Sequence, residues 1–410
     1  MRKILLGLLL LVLVGALAFF KFAPEYIEKQ MNRIDGKPLL TVSEEAKALH
    51  ATLQIVDLHS DTLMWRDPVP AAGRGHEDLP RLQQGNVALQ LFASTTKSPR
   101  GQNYEGNTGE TDNITPLVIA QLQPLRTWTS LLERSLFHGA RLDRAVAGSN
   151  GGLRRIASAN ELDRLISARN TPFGVPRPDG GLATPGFVKP VGGMLTVEGL
   201  HNLEGNPANL DKLYAAGFRM AGLTHFFDNE LAGSMHGVTK AGLTPMGKQI
   251  VARMEELGMI VDIAHLSHAG VAEVLASARR PVVSSHGGVK GTCQTNRNLT
   301  DEELQGVAKT GGVVGIGYWD AAICDTDPRA AARAMKYVRD LVGIDHVALG
   351  SDFDGATTTR FDTAGLVQIT QALLDEGFKP EEIRAVMGGN ALRVIRAGLV
   401  PMAPEAAPKQ

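Results

Sequence analysis

Residues 55–61 read Ile-Val-Asp-Leu-His-Ser-Asp. The first four residues form a short apolar run of the kind that builds a buried β-strand, and His59 and Asp61 stand at its end. Side chains two residues apart on a strand point the same way, so these two can reach one ion together. A His-x-Asp pair alone is a weak signal. Its meaning depends on whether the same arrangement recurs along the chain.

Short apolar runs rich in β-forming residues do recur, each bounded by polar residues or glycine. They lie at 55–58, 87–92, 194–197, 220–223, 260–264, 281–285, 313–317 and 347–350. Helical patterns fill most of the gaps, at 245–257, 269–278, 301–310 and 330–342, and Thr300 with Glu303 has the form of a capping box. Eight strands alternating with helices predict an α/β fold, a closed (β/α)8 TIM barrel. An open doubly wound sheet is the alternative, but no glycine-rich phosphate loop follows the first run.

The gap between the second and third runs is anomalous. Residues 95–190 are too many for a connection without structure of its own. Helical patterns at 117–146 and 159–168 therefore predict a helical insertion between strands 2 and 3 of the barrel.

The N-terminal segment has the composition of a membrane or export signal. Arg2 and Lys3 precede an unbroken run of apolar residues and glycine at 4–20. At about 1.5 Å per residue this run spans roughly 26 Å, slightly less than a hydrocarbon core of about 30 Å. The sequence at 16–18, Ala-Leu-Ala, resembles a cleavage site, so residues 1–22 are either a signal anchor or a signal peptide. Either way the positive-inside rule predicts an exported, periplasmic catalytic domain, membrane-anchored if the segment is kept.

The remaining chain divides into three parts. Residues 23–50 are expected to form a linker and a leading helix, residues 51–398 the barrel, and residues 399–410 a disordered tail. The 410 residues include 42 basic and 43 acidic side chains, a balance that gives no reason to expect a nucleic acid partner.

Potential ligands stand at or just after the ends of these strands. In a parallel barrel the C-terminal strand ends meet at one mouth, where active sites lie. A lone buried histidine is usually a hydrogen-bonded core residue, but three histidines and three carboxylates at the ends of five strands indicate a metal site. The six candidates are His59, Asp61, Glu198, His265, His286 and Asp352.

The number of candidate ligands favours two ions. A catalytic zinc ion takes about three protein ligands and leaves one position open to water. A carboxylate such as Glu198 can bridge two ions. Imidazole with carboxylate suits zinc, with manganese, cobalt or iron as lesser alternatives. Two such ions lower the pKa of a bridging water and polarise a carbonyl. Both effects promote hydrolysis.

Taken together, the motifs resemble the renal (membrane) dipeptidase family, peptidase family M19, in its bacterial form. They are found at residues 57–63, 197–199, 223–225, 262–265, 285–286 and 350–355, in family order, and the similarity runs from about residue 50 to 398. The resemblance implies a dipeptidase with two Zn²⁺ ions, in which a metal-bridging hydroxide attacks the peptide bond of a dipeptide. One ion would bind His59 and Asp61, the other His265 and His286, and Glu198 would bridge them.

The resemblance also assigns roles to residues beside the ions. Asp352 matches the catalytic acid/base, and His225 matches a histidine that contacts the scissile carbonyl. Arg297 matches an arginine that holds the substrate's C-terminal carboxylate, a role suited to the bidentate geometry of guanidinium. Tyr318 falls near another substrate-binding position. Cys293 and Cys324 fall close to a family disulfide pair.

Three neighbouring aspartates have expectations of their own. Asp57 and Asp262 are expected to hydrogen-bond the ligand histidines from outside the metal shell. Asp354 could exchange roles with Asp352, although capping of a turn is the simpler interpretation.

Alternatives stay open. The same site could serve a binuclear amidohydrolase that acts on another amide or ester, or the barrel could be a binding protein without activity. The residues after His225, Phe226-Phe227-Asp228-Asn229, depart from the family pattern and leave substrate preference open. A homodimer is a further open alternative.

Overall fold

The computed structural model describes residues 2–69, 73–171 and 189–402. Its strands, numbered in chain order, are β1 Arg33–Ile34, β2 Ile55–Ser60, β3 Val87–Thr95, β4 Leu153–Arg155, β5 Val191–Glu198, β6 Phe218–Gly222, β7 Ile260–Asp262, β8 Val283–Ser284, β9 Val313–Ile316, β10 Val347–Leu349 and β11 Thr358–Thr359. The parallel order β3-β2-β10-β9-β8-β7-β6-β5 closes because β5 also pairs with β3. The predicted (β/α)8 barrel is confirmed, and the eight predicted runs correspond to its eight strands.

Helices cover the outside of the barrel, and the N-cap that the sequence predicts at Thr300 is present. The helices are α1 Arg2–Met31, α2 Glu44–Ala51, α3 Thr62–Trp65, α4 Leu79–Gln84, α5 Ile114–Ala120, α6 Arg126–Thr129, α7 Leu131–Gly148, α8 Ala159–Asn170, α9 Asn209–Ala215, α10 Pro245–Leu257, α11 His268–Ser277, α12 Asp301–Lys309, α13 Asp320–Ile323, α14 Pro328–Val342, α15 Val367–Asp375, α16 Pro380–Arg384 and α17 Asn390–Gly398. The Thr300 hydroxyl accepts from the Glu303 amide and the Glu303 carboxylate accepts from the Thr300 amide, so the capping box is present.

The insertion between the second and third barrel strands contains several helices, but the predicted helix at 117–146 is wrong as a single element. It is broken after α5, where Leu122 takes a positive φ of 52° and Pro124 has no amide hydrogen to donate. Ser130 then starts α7 by accepting from the Glu133 amide. Residues 172–188 of the predicted insertion lie outside the described residues.

The short strand β4 was not predicted. It pairs with only the first three residues of β5, with Leu153 opposite Val191, whereas β6 pairs with β5 from Leu195 onward. Three residues are too few to show a strand period in the sequence.

The N-terminal helix α1 is longer than the sequence indicates. Its segment Lys3–Met31 has a mean hydropathy of 2.7 over its most apolar window, with none of that window buried, and is long and apolar enough to cross a membrane. Residues 23–31, which the sequence assigns to a linker, continue this helix and include Pro24. After it, β1 pairs with β11, and α2 supplies the leading helix. Residues 403–410 of the predicted tail lie outside the described residues.

A disulfide ties two loops at the barrel mouth. Cys293, in the loop after β8, is bonded to Cys324, at the end of α13 after β9. The pairing implied by the family resemblance is therefore confirmed.

Candidate active site at the barrel mouth

The predicted ligands converge at the C-terminal end of the barrel, as the parallel topology requires. His59 lies in β2 and Glu198 is the last residue of β5. His265 and His286 follow β7 and β8 within three residues, and Asp352 follows β10 at the same distance. Side chains that are almost 300 positions apart in sequence thus lie close together at the barrel mouth.

Glu198 stands at the centre of the cluster. Its Oε1 lies 2.9 Å from His265 Nε2, 3.2 Å from His286 Nε2 and 3.6 Å from His59 Nε2. Its Oε2 lies 3.4 Å from His225 Nε2. One carboxylate therefore faces four imidazoles, each of which lies on or just after a different barrel strand.

A second group surrounds His59. Its Nε2 lies 3.4 Å from Asp61 Oδ2 and 3.9 Å from Asp352 Oδ1. Thr95, which the sequence analysis missed, places its Oγ1 2.5 Å from Asp61 Oδ1 and 2.6 Å from Glu198 Oε2. Its signal was available, because Thr95 ends β3 in the way that the other site residues end or follow their strands.

The donor set fits metal binding. Three groups of residues bring ligand atoms within 4.8 Å of one another, namely His59 with His286 and Asp352, Glu198 with His225 and His265, and His59 with Asp61 and Glu198. Three buried carboxylates meet here, and such a concentration of negative charge is costly unless cations offset it. The buried His59 Nε2 has no hydrogen-bond partner among the described residues, as expected of an atom that faces an ion.

Two of the three histidines have the pKa shift expected of metal ligands. Burial lowers the pKa of His265 and of His286 well below the ordinary value, which keeps their lone pairs free for coordination. Burial would also lower the pKa of His59, but the carboxylates of Glu198 and Asp61 raise it to about 10. Burial, with Asp61 and Glu198 close by, raises the pKa of Asp352 well above its ordinary range.

Asp57 and Asp262 differ from expectation. The structure pairs them with backbone amides and not with imidazole rings. Asp57 Oδ1 accepts from the amides of His59 at 3.2 Å and Ser351 at 2.9 Å, which joins the β2 end to the β10 end. Asp262 Oδ1 accepts in the same way from Ala264 and Ser285, joining β7 to β8. They fix the loops that carry the ligands, because a short side chain on a strand reaches the neighbouring backbone before it reaches a ring.

Strained backbone is concentrated at this mouth. His265, Asp352 and Asp354 all take positive φ, at 63°, 57° and 61°. Such conformations cost free energy in residues with a side chain and persist where the surroundings fix them. At His265 the carbonyl accepts from Thr224 Oγ1 and from the Met235 amide, which hold the turn that aims the ring.

Arg297 and His225 both border the cluster. Arg297 is buried, donates from Nη2 to the His286 carbonyl at 2.6 Å, and stacks its guanidinium over Trp319 at 5.9 Å. His225 faces Glu198 with Nε2 and places Nδ1 3.4 Å from the Lys97 carbonyl. The structure thus brings both residues to the mouth.

Tyr318 is not placed in the same way. Its buried ring packs against Phe353 at 5.8 Å and Phe361 at 5.4 Å, and its hydroxyl has no hydrogen-bond partner in the described part of the chain. This packing favours a core role over the predicted substrate contact. Tyr104, from the insertion, is an aromatic closer to the site: its ring lies 5.7 Å from Phe226, which packs against His225, and its carbonyl accepts from Asn296 Nδ2 at 2.6 Å.

The sequence matches a known protein family over most of its length. The family model described as "Membrane dipeptidase (Peptidase family M19)" matches residues 43–400. The chain belongs to the membrane dipeptidase family. The match spans the whole barrel and its insertion, and it begins after α1 and β1.

Relatives and solved structures agree with this membership. Dipeptidase AclJ of Aspergillus oryzae is 36% identical over 219 residues, which cover 50% of this chain and about half, 51%, of that relative. The probable dipeptidase PvdM from Pseudomonas aeruginosa has the same fold, with a TM-score of 0.69 at 20% identity over 87% of this chain and 98% of its own. A metallopeptidase from Rhodobacter sphaeroides, solved with a phosphinate mimic of the dipeptide L-Ala-D-Ala, has a TM-score of 0.62 at 22% identity, covering 85% and 99%.

Proposed function

We propose that this protein is a zinc-dependent dipeptidase, exported and held at the membrane by α1. The observation that carries the proposal is the position of Glu198 between two pairs of potential ligands, His59 with Asp61 and His265 with His286. Each pair would hold one zinc ion and Glu198 would be shared. When bound, such ions polarise a peptide carbonyl and lower the pKa of a bound water.

Asp352 is the proposed acid/base. It borders the cluster, with 12% of its side chain exposed, and its raised pKa suits a group that both takes up and gives back a proton. Its carboxylate would accept the proton from the attacking water and deliver it to the leaving amine.

His225 is the proposed partner of the reacting carbonyl. Its Nε2 lies 3.4 Å from Glu198 Oε2, at the rim of the cluster. A donor at this position would stabilise the negative charge that develops on the carbonyl oxygen, an effect of about 3–4 kcal/mol at comparable sites.

Arg297 would select substrates with a free C-terminus. A guanidinium binds a carboxylate with two parallel hydrogen bonds, and its fixed distance from the reacting bond would limit the substrate to two residues. The dipeptide mimic bound by the Rhodobacter relative supports this substrate class.

The proposed location of the protein at the membrane depends on the first helix. α1 is exposed along its apolar length and would act as an anchor, with Arg2 and Lys3 on the cytoplasmic side and the barrel outside. Cleavage at 16–18 would release the barrel into the periplasm instead. Detection of residues 4–16 in the membrane-bound protein by mass spectrometry supports the anchor, and a mature N-terminus at residue 19 contradicts it.

A panel of substrates tests the function. Purified full-length protein of known metal content is assayed with L-L and L-D dipeptides, N-blocked dipeptides and dipeptide amides. We expect hydrolysis of free dipeptides and little turnover of the amides, which cannot pair with Arg297. Faster turnover of neutral amides or esters would favour a different binuclear amidohydrolase, and no turnover with two ions bound would favour a binding protein.

A further inference from the structure

The segment that joins α1 to the barrel is bonded to the loop that carries Asp352. We call residues 28–35 the strap. Although α1 is otherwise largely exposed, its Glu28 is 2% exposed, and Asn32, just after its end, is 4% exposed. The Ala356 amide donates to Asn32 Oδ1 at 2.8 Å. The strap lies outside the region matched by the family model, so the resemblance assigns it no role.

Glu28 begins a chain of buried charges that leads from α1 to this loop. Its carboxylate pairs with Arg66 and, at 2.7 Å, with Arg74 Nε. Arg66 donates from Nη2 to Asp354 Oδ2 at 2.8 Å. An acid on the first helix is therefore connected through one arginine to the residue two positions after Asp352.

Asp354 is the point at which the loop is fixed, and it is fully buried. Besides Arg66, its carboxylate accepts from Thr62 Oγ1 at 2.8 Å and from the His76 amide at 2.6 Å. Its carbonyl accepts from Trp65 Nε1 at 2.6 Å. These bonds leave Asp354 no freedom to take the place of Asp352, and the simpler interpretation from the sequence, a residue that holds a turn, is the one the geometry supports.

The loop needs such support. Asp352, Asp354 and Ala356 all take positive φ, between 57° and 61°. Three left-handed residues in five positions are unfavourable for side chains with a β-carbon, so contacts from other segments must hold them.

The second half of the strap contacts the end of the same loop. Arg33 and Ile34 of β1 pair with Thr358 and Thr359 of β11. Asp35 continues the contact by pairing with Arg360 Nε at 3.1 Å. The strap therefore contacts the loop at its middle and at its end.

We propose that the strap positions the catalytic aspartate, with Glu28 acting through Arg66 and Asp354 on the loop that aims Asp352. Glu28 is a positioning residue, since it lies on α1 and contacts none of the ligands. Whether α1 is retained or cleaved at 16–18, the strap stays with the barrel, so it belongs to the catalytic unit. The catalytic consequence rests on the proposed function, whereas the effect on the loop does not.

The test compares Glu28→Gln with Glu25→Gln in the full-length protein in detergent. Glu25 is a matched control because it lies on the same helix one turn earlier, is about half exposed and contacts Arg74 only at 3.6 Å. Hydrogen–deuterium exchange of the peptide covering 350–360 is measured first. We expect faster exchange in Glu28→Gln, with the rest of the barrel protected, and wild-type exchange in Glu25→Gln.

Dipeptidase kinetics of the same variants are measured second. In Glu28→Gln we expect kcat to fall by roughly 10- to 100-fold, because misplacement of a catalytic group by about 1 Å has effects of this size. KM and metal content should change by less than about twofold, since the ligands are untouched. If Glu28→Gln does not fold, Asn32→Ala removes a single bond from the strap and is read by the same exchange experiment.

Two outcomes overturn the proposal. One is unchanged exchange at 350–360 in the Glu28 variant, or in Asn32→Ala if that variant replaces it. The other is an equal effect in Glu25→Gln. A wild-type protein without dipeptidase activity contradicts the proposed function instead, and the exchange data then decide the strap independently.

Discussion

The Nε2 atoms of His265 and His286 lie 3.0 Å apart, although the residues come from the ends of two different strands. Burial keeps both rings neutral, so at most one of the two facing nitrogens can donate a hydrogen in this contact. Both nitrogens also lie within 3.2 Å of Glu198 Oε1. Two imidazole nitrogens and a carboxylate oxygen aimed at one point are the arrangement that a divalent cation requires.

Replacement of His286 by Ala is expected to remove metal. Loss of one of the few ligands of an ion should lower bound metal by about one equivalent per chain and abolish turnover. Metal content is measured by mass spectrometry after gel filtration. His268→Ala is the control, since His268 pairs with Glu303 on the barrel exterior and should keep both metal and activity. Full metal content in the His286 variant would contradict the ligand assignment.

Replacement of Asp352 by Asn separates catalysis from metal binding. The amide keeps the shape of the side chain but cannot move a proton, so we expect kcat to fall by about 10²- to 10⁴-fold with metal content intact. Steady-state kinetics on metal-quantified protein measure this. Turnover near the wild-type rate would show that another group is the acid/base.

Replacement of Arg297 by Lys or Ala should weaken the binding of dipeptides. A charge-assisted hydrogen bond contributes about 1.5–3 kcal/mol, so we expect kcat/KM for a free dipeptide to fall by roughly 10- to 150-fold. The dipeptide amide serves as the control substrate and should be affected much less. Equal losses for both substrates would indicate that Arg297 only supports the His286 carbonyl to which it donates.

Gly355 should not tolerate a side chain. A β-carbon at this position would lie 2.0 Å from Asp352 Oδ1 and 2.9 Å from Asp61 Oδ2. In Gly355→Ala the two carboxylates must move, and we expect a loss of kcat of at least about tenfold with little change in melting temperature. Gly377→Ala is the control for a glycine with open space around it, and its positive φ of 79° should cost stability without loss of kcat. Wild-type kcat in Gly355→Ala would contradict this packing argument.

Removal of the disulfide should destabilise the protein without altering its site directly. The bond between Cys293 and Cys324 closes a loop with a sequence separation of 31, for which the chain-entropy model gives about 3–4 kcal/mol. The double variant Cys293→Ser/Cys324→Ser is compared with the wild type by urea unfolding, with and without a reductant. Reductant should lower the stability of the wild type only.

Much of the fold was readable from local sequence. The eight apolar runs and the cap of α12 are short-range patterns, because a strand period or a capping bond involves residues within a few positions. The break in the predicted helix at 117–146 had a local signal in Pro124, which cannot donate a backbone hydrogen bond, whereas nothing in the sequence indicates the positive φ of Leu122.

The candidate ligands could be predicted because barrel topology converts strand ends into neighbours. Two aromatic residues could not be placed from the sequence, for a different reason. Tyr318 follows a strand like the ligands do, yet its ring packs between Phe353 and Phe361, and nothing in its local sequence gives the direction of the side chain. Tyr104 lies in an insertion without a strand pattern, and only the path of that segment brings its carbonyl to Asn296, the neighbour of Arg297.

By itself, the sequence determined that this chain forms an eight-stranded α/β barrel with three histidines and three carboxylates at one mouth, because those features depend on periodicity and on strand order. Only the tertiary structure decided which loops hold those side chains in place. The link from Glu28 through Arg66 to Asp354 joins positions more than 300 residues apart. Such pairing is set by the packing of the whole chain, since no short-range rule fixes which buried charge meets which.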